Sequence, residues 1–522
     1  MTCLPLHRLK LLLTIPIVIC GTHLNRAAIG DDYEIGFSTL IGGSDWEHAR
    51  DVFADESGNV YVVGGTQSVD FPTTENALRR SQDTTGRQVG SGGYCDAFVC
   101  KFSADGELIW STLLGGPNYD RAYAVEVDDE GFVYVSGRGG PGFPVSDNAF
   151  QTQFRGTDNG VYGMQNGFIA KLSPDGSEIV WAAYVGVGSL CRDLSIDDDG
   201  NVYVALHYTG SGPLPPDSWC AGGFQPQPAG GSEIGALKIA SDGRSILWGT
   251  WLGGSKDEVS NCGIRIDRQR QVYLNFTTKS TDLPTTAGAH DRSHNGKTDA
   301  FVARISSDGS QLLLGTYFGG AEDDEGNSTH NMAVDAHGNA YLLSSTRSAD
   351  IPVTMGVVQP KLNGAQRDIV VAKFSPEGAL QRCTYLGGSD NDGADGIYAN
   401  DQGDVFLTGD TASHDFPLTS NALQTQRGKS QDAVVVVLAA DFASLKFSTR
   451  LGGPNYDYGR CGFLDSRGNL YITGSVNGPG WPVHRAFQPE FAGGGGGKEL
   501  CCEGGCYAGD VILAKLIRLK NE

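Results

Sequence analysis

A pair of adjacent glycines recurs along this 522-residue chain at nearly constant spacing and divides it into seven segments. The pairs begin at Gly42, Gly115, Gly253, Gly319, Gly387 and Gly452, and Gly186-Val187-Gly188 takes the remaining place. The intervals between successive first glycines are 73, 71, 67, 66, 68 and 65 residues. A period of this length accommodates four short strands with their connections, so the chain is predicted to be a repeat protein.

Every segment carries the same order of secondary-structure signals. An apolar strand ending in Asp precedes a turn such as Asp55-Glu56-Ser57-Gly58-Asn59 and a second strand such as Val60-Tyr61-Val62-Val63. A long loop with a Pro landmark follows, then a third strand that opens at Asp in most segments, as at Asp299. A Ser-Pro-Asp-Gly type turn leads to the fourth strand. Asp, Asn and Gly suit such turns because they tolerate left-handed backbone angles or hydrogen-bond their own backbone.

In these signals the chain resembles the bacterial SBBP family, whose name abbreviates seven-bladed β-propeller repeat. The resemblance extends from about Phe37 to the end of the chain. It implies an all-β fold, a seven-bladed β-propeller of four-stranded antiparallel blades, in an extracytoplasmic protein. It implies no reaction, because propellers support unrelated functions.

The two ends of the repeat array predict how the ring closes. The array begins with a lone fourth strand at Phe37-Ser38-Thr39-Leu40-Ile41 and ends after a third strand at Val511-Ile512-Leu513-Ala514-Lys515-Leu516. Pairing of these strands would complete the last blade and remove two exposed sheet edges. An open solenoid with capped ends is the alternative.

The amino terminus has the character of an export signal. His7, Arg8 and Lys10 precede the apolar run 11–19, which is short for a membrane span. We therefore expect residues 1–28 to be a signal peptide, residues 34–522 to form the propeller, and the protein to be secreted, periplasmic or at the cell surface. Lipid attachment at Cys20 is the alternative. No later stretch has transmembrane length, so the mature chain is expected to have no transmembrane segment and to be monomeric.

Charge limits the class of partner. The formal net charge is −22 and the pI is about 4.8, whereas a phosphate-binding surface needs clustered Lys and Arg. Nucleic acid is therefore not expected as a partner.

Seven residues at one repeat position are the candidate ligand-binding ring. Each stands five residues before the Asp, or in the sixth repeat Asn400, that ends the inner strand: Arg50, Tyr123, Arg192, Cys262, His330, Asp395 and Arg460. Because side chains alternate along a strand, these residues are predicted to lie on the same side of the strand as apolar residues such as Leu194, and to lie at the channel mouth. This mouth belongs to the loop face, meaning the side of the disc that carries the glycine pairs and the Pro-bearing loops. Arginines there suit an anionic sugar or carboxylate, and a solvated channel rim is the alternative.

Acidic residues after the glycine pairs are candidate calcium ligands, because calcium takes six to eight oxygen ligands. The candidates are Asp323, Asp324, Asp390 and Asp392. Their spacing fits no EF-hand loop, and structural capping is the alternative interpretation. No other cofactor is expected.

Twelve cysteines are present, and ten of them lie beyond the signal peptide. Export to an oxidising compartment makes disulfides plausible for some of them. Cys501, Cys502 and Cys506 lie in the last blade, and Cys95 occupies the corresponding loop of the first blade, which is its neighbour in a closed ring. These four are the disulfide candidates, with connectivity open; a zinc site at the three C-terminal cysteines lacks the usual spacing.

Two functions follow from these features. The first is a non-enzymatic binding or structural module at the cell surface whose partner is a protein or a surface polysaccharide. The second is a polysaccharide lyase or hydrolase with its site at the channel mouth, in which Asp395 and His330 act as acid and base. Convergence of His330 with a carboxylate in a single pocket would favour the enzyme.

Overall fold

The protein is described by a computed structural model, which covers residues 32–86, 94–158, 160, 162–186, 188–210, 216–325, 329–364, 366–493 and 509–519. The predicted signal peptide and the cysteines Cys501, Cys502 and Cys506 lie outside the described residues. No helix in these ranges has the length and continuous apolar character that a membrane span needs.

Seven antiparallel sheets form the blades of a propeller, as the repeat predicts. Blade 1 comprises β2 (Glu47–Ala54), β3 (Val60–Thr66), β4 (Asp96–Phe102) and β5 (Leu108–Leu114). Blade 2 comprises β6 (Arg121–Val127), β7 (Val133–Gly139), β9 (Met164–Leu172) and β10 (Ile179–Val185), with the short β8 (Thr157–Asp158) beside β9. Blade 3 comprises β11 (Ser189–Ile196), β12 (Val202–Tyr208), β13 (Glu233–Ile239) and β14 (Ile246–Leu252). A single 3₁₀ turn, Asp217–Trp219, lies in the described part of the long loop of blade 3.

The remaining blades repeat the pattern. Blade 4 comprises β15 (Glu258–Ile266), β16 (Val272–Thr278), β17 (Asp299–Ile305) and β18 (Leu312–Phe318). In blade 5, β19 (Asp324–Glu325) and β20 (Met332–Val334) share the inner position and are followed by β21 (Ala340–Thr346), β22 (Asp368–Phe374) and β23 (Leu380–Leu386). Blade 6 comprises β24 (Asp392–Ala399), β25 (Val405–Thr411), β26 (Asp432–Leu438) and β27 (Leu445–Leu451), and blade 7 comprises β28 (Asp457–Leu464), β29 (Leu470–Val476), β30 (Asp510–Arg518) and β1 (Tyr33–Ile41).

Ring closure occurs as predicted. The first strand, β1, pairs antiparallel with β30 along its whole length, from Tyr33 opposite Arg518 to Ile41 opposite Val511. Blade 7 therefore takes three strands from the end of the chain and one from its start. The open solenoid is excluded by this pairing.

The hydrophobic core lies between the blades. Strand residues such as Val62, Val99 and Val135 are completely buried, because each sheet packs its faces against the two neighbouring sheets. Three tryptophans also tie the outer strand of one blade to a turn of the next. The indole nitrogens of Trp110, Trp181 and Trp248 donate to the carbonyl oxygens of Pro174, Ser241 and Ser307 at 2.9 to 3.1 Å.

The first glycine of each pair lies in close contact with two buried carboxyl groups from successive blades. A Cβ on Gly42 would lie 2.5 Å from Asp510 Oδ1 and 2.7 Å from Glu47 Oε2. The same arrangement surrounds Gly115, Gly253, Gly319, Gly387 and Gly452. The paired residues are Glu47 with Asp510, Asp96 with Asp120, Glu233 with Glu258, Asp299 with Asp324, Asp368 with Asp392, and Asp432 with Asp457. The glycine landmark is thus a packing requirement of the blade interfaces.

Candidate functional site

A β-bulge in the inner strand brings the predicted ring residues to the propeller axis. The strand register shifts at Arg50, Tyr123, Arg192, Asp395 and Arg460, each of which is the extra residue of its bulge. The prediction that their side chains point to the same side of the strand as Leu194 is therefore wrong. Leu194 packs in the core, whereas the bulge directs the side chain of Arg192 toward the axis. Cys262 differs: it pairs with Phe276 in the regular ladder and lies in the core.

Four arginines surround the ring of Tyr123, and we call these five residues the arginine cluster. The guanidinium carbons of Arg50, Arg121, Arg138 and Arg192 lie 5.0, 5.3, 5.3 and 4.7 Å from the ring centroid. They come from blades 1, 2, 2 and 3, so three neighbouring blades bring cations to one aromatic ring, a geometry that cation–π attraction favours. The cluster concentrates positive charge in a chain of net charge −22.

Two members of this cluster, Arg121 and Arg138, were not predicted from the sequence. They face each other directly across strands β6 and β7 and are only 1% and 5% exposed. Like charges in directly opposed positions destabilise a sheet. The signal that reveals them is a comparison of repeats, since the position of Arg138 is Gly65 in blade 1 and Ser475 in blade 7.

The arginines also act on the phenol that they surround. Burial alone would raise the pKa of Tyr123, but the charges of Arg138, Arg121 and Arg192 outweigh it and lower this pKa to about 8. The hydroxyl is therefore far more acidic than an ordinary tyrosine, and a phenolate here would compensate one of the four positive charges.

Two arginines of the cluster have unsatisfied nitrogens. Arg50 Nε and Arg138 Nε and Nη1 are buried without a hydrogen-bond partner among the described residues. Buried polar atoms normally find a partner, and an unpaired buried charge is costly. These atoms therefore favour an additional acceptor at the cluster.

The opposite side of the axis is neutralised internally. Arg460 donates to Asp395 Oδ1 at 3.2 Å and to the Tyr458 hydroxyl at 2.7 Å. Burial, and then the charge of Asp395, raises the pKa of nearby Asp410 to about 8. Among the described residues the ring is consequently asymmetric: the arginines of blades 1 to 3 surround Tyr123, whereas Arg460 of blade 7 is paired with Asp395 of blade 6.

His330 crosses the axis from blade 5. Its Nε2 lies 3.1 Å from the carbonyl oxygen of Tyr123 and 3.7 Å from Asp51 Oδ1, and its Nδ1 lies 3.4 Å from Asp193 Oδ1. These contacts join blades 1, 2, 3 and 5 through one side chain. The six proposed ligand-binding residues are between 0% and 9% exposed, which contradicts the solvated-rim alternative and means that a ligand reaches them only when the side chains around the axis move apart.

The four calcium candidates do not come together. Asp324 and Asp392 each cap the second glycine of their pair, at 2.6 Å from Gly320 N and Gly388 N, and accept from Ser348 and Ser413. Asp323 forms an ion pair with Arg347 at 3.8 Å, and Asp390 accepts from Asn391 N. Asp324 and Asp392 are thus capping residues in the structure.

The described cysteines are buried thiols. Cys95, Cys100, Cys191, Cys220, Cys262, Cys383 and Cys461 are all unbridged and buried. Cys95 Sγ contacts the carbonyl oxygen of Asp96 at 3.8 Å. A bridge from Cys95 to Cys501, Cys502 or Cys506 stays a prediction, because its possible partners lie outside the described ranges.

An acidic cleft lies on the face of the disc opposite the loop face. It has a volume of about 590 Å³ between blades 2 and 3 and is lined by seven carboxylates, among them Asp128 and Asp197. Both belong to the tight turns: Asp197 accepts from Asn201 N and the Tyr203 hydroxyl, and Lys171 lies 3.4 Å from Asp128. Sequence reasoning placed function on the loop face and missed this cleft.

Comparison with known proteins identifies one repeat directly. Residues 109–143 match the family model of the SBBP β-propeller repeat. No curated protein matches the sequence.

Solved structures with related folds include a protein of unknown function from Dyadobacter fermentans, with 11% identity and a TM-score of 0.41 over 94% of this chain and 100% of that chain. The polysaccharide lyase Uly1 has 9% identity and a TM-score of 0.41 over 94% and 99% of the two chains. A quinohemoprotein alcohol dehydrogenase from Pseudomonas putida has 10% identity and a TM-score of 0.38 over 94% and 77%. Scores this low support no conclusion about function.

Proposed function

Because the chain carries the SBBP β-propeller repeat in a closed seven-bladed ring, we propose that it is an extracytoplasmic, non-enzymatic binding module. Its ligand is the acidic group of a surface polysaccharide, a carboxylate or a sulfate, and the arginine cluster binds that group. The export signal predicted for residues 1–28 supports the location.

The observation that carries this proposal is the pair of buried arginines, Arg50 and Arg138, whose nitrogens have no hydrogen-bond partner among the described residues. Four guanidinium groups converge on one tyrosine, and two of them retain unpartnered nitrogens among the described residues. Removing cations from water without an anion is unfavourable, whereas a bound carboxylate or sulfate supplies both charge and acceptors. Arginine suits such ligands because its planar guanidinium group can donate to two oxygens at once.

Binding of acidic and neutral oligosaccharides to the mature protein tests this proposal. We expect acidic glycans to bind with an affinity that falls as salt is added, and neutral glycans not to bind. The double variant Arg50→Gln/Arg138→Gln should lose the interaction. Arg268→Gln is the matched control, because Arg268 is 75% exposed and lies outside the cluster.

Equal binding by the double variant and by the control would show that the arginine cluster does not bind the glycan. Equal binding of neutral and acidic glycans would show that the ligand is not recognised by an acidic group.

A second candidate function, a polysaccharide lyase, is favoured by the acidity of Tyr123. A phenolate at this position is suited to remove the proton beside a uronate carboxylate, while the arginines stabilise the charge that develops on that carboxylate. The glycosidic C–O bond then breaks, a carbon–carbon double bond forms, and the leaving oxygen takes a proton from solvent. Asp395 is instead held by Arg460, so Tyr123 replaces the expected Asp395 and His330 pair as the proton acceptor.

Absorbance of the unsaturated product separates the two functions. A lyase produces it in the wild type and not in Tyr123→Phe, whereas a binding module produces none and retains its affinity in that variant.

A further inference from the structure

A second cluster of functional side chains lies on the axis beside the arginine cluster. Asp51 of blade 1, His330 of blade 5 and Cys461 of blade 7 place a carboxylate oxygen, an imidazole nitrogen and a thiol sulfur within 4.8 Å of one another. Their exposed fractions are 5%, 1% and 0%. It is the only such group of three potential metal ligands in the ranges that the structure describes.

Three different kinds of ligand atom meet there. The Cys461 thiol donates to Asp51 Oδ1 at 3.1 Å, and His330 Nε2 lies 3.7 Å from the same carboxylate oxygen and 3.1 Å from the Tyr123 carbonyl oxygen. A metal ion in this space would take the place of the thiol proton and contact all three side chains.

The second nitrogen of the imidazole is arranged as in metal centres. His330 Nδ1 lies 3.4 Å from Asp193 Oδ1, and Asp193 is itself held by Arg265 Nη1 at 2.7 Å and by Ile264 N at 3.0 Å. A histidine that ligates a metal generally donates its other N–H to a carboxylate, which fixes the ring and directs its lone pair at the metal. Asp193 is in position for this role.

The Asp51 carboxylate is also fixed in place. Val52 N donates to Oδ1 at 2.8 Å and Val125 N donates to Oδ2 at 2.8 Å, which leaves one lone pair of Oδ1 for the shared space. Ligand atoms around a tetrahedral zinc ion are about 3.3 to 3.8 Å apart, given bonds of about 2.0 to 2.3 Å. The distances of 3.1 and 3.7 Å from Asp51 Oδ1 to the other two ligand atoms are close to this range.

We propose that Asp51, His330 and Cys461 bind a zinc ion on the propeller axis, with Asp193 as the residue that positions His330. A mixed sulfur, nitrogen and oxygen set suits zinc better than calcium or magnesium, which take oxygen ligands. Binding releases the thiol proton of Cys461, and the metal ties the inner strand of blade 1 to those of blades 5 and 7. This site is independent of the acidic ligand proposed above.

Metal binding to the intact mature protein tests the proposal. We expect one zinc per chain after incubation with zinc and removal of excess. Cobalt substituted for zinc should show the charge-transfer absorption of a thiolate–cobalt bond. Cys461→Ser should lose this band and the stoichiometric metal, while the matched control Cys383→Ser, which removes a buried thiol elsewhere, should retain both.

Asp193→Asn provides a graded test of the positioning residue, with an expected loss of about 10- to 100-fold in zinc affinity. Wild-type protein that binds no stoichiometric metal and gives no thiolate band overturns the proposal. Equal zinc binding by Cys461→Ser and Cys383→Ser overturns it as well. If Cys461→Ser does not fold, the wild-type cobalt spectrum decides alone.

Discussion

Replacement of Glu47 by Gln should flatten the pH dependence of stability. Glu47 and Asp510 flank Gly42 across the interface between blades 7 and 1, and both carboxyl groups are completely buried. Burial raises the pKa of Glu47 from 4.5 to about 8 and that of Asp510 to about 6. The folded protein therefore retains protons at a pH where the unfolded chain has lost them.

The sign of the effect follows from this difference. A carboxyl group with a raised pKa contributes its full stability below the unfolded pKa of 4.5, and this contribution is lost as the pH rises toward 8. Each retained proton corresponds to a slope of about 1.4 kcal/mol per pH unit. The slope flattens near pH 8, where half of the proton is lost, so from about pH 6 to about pH 8 the wild type should lose about 2 kcal/mol more than Glu47→Gln, which has no such proton.

Urea unfolding followed by tryptophan fluorescence at several pH values measures this difference. Glu75→Gln is the matched control, because Glu75 is an exposed residue of the same blade. We expect the control to reproduce the wild-type slope. Parallel curves for Glu47→Gln and the wild type would refute the claim that the buried pair holds a proton.

Three further outcomes are expected. Gly42→Ala should destabilise the protein strongly, since its Cβ would meet both carboxyl groups, whereas Gly222→Ala, whose Cβ would meet nothing within 4 Å, should be nearly neutral in thermal denaturation. Phe37→Ala in the closing strand should cost about 3 to 5 kcal/mol in chemical denaturation, and a loss below 1 kcal/mol would contradict the role of that strand in the core. A tyrosinate absorbance titration should show one phenol that ionises near pH 8 in the wild type and is missing in Tyr123→Phe.

The fold was largely predictable because its determinants repeat. Seven glycine landmarks, the turn signals and the two complementary end strands each predict the same propeller, and the pairing of Ile41 with Val511 agrees. The physical reason for the glycine pair was not predictable, since it depends on carboxyl groups from two blades that are distant in sequence, such as Asp510 and Glu47.

The candidate site was predicted only in part. Repeat alignment identified Arg50, Tyr123 and Arg192, but regular strand alternation gives no sign of the bulges that direct them to the axis. Arg138 was missed because it lies on a different strand of the repeat.

Burial was not predictable from the sequence either. The surroundings of His330 depend on groups from blades 1, 3 and 7 that the closed ring brings together.

A crystal structure of the mature protein with a uronate-containing oligosaccharide tests the central claim most directly. We expect the uronate carboxylate to accept hydrogen bonds from Arg50 and Arg138 beside Tyr123. An oligosaccharide bound elsewhere, for example in the acidic cleft of the opposite face, with the arginine cluster unchanged, would contradict it.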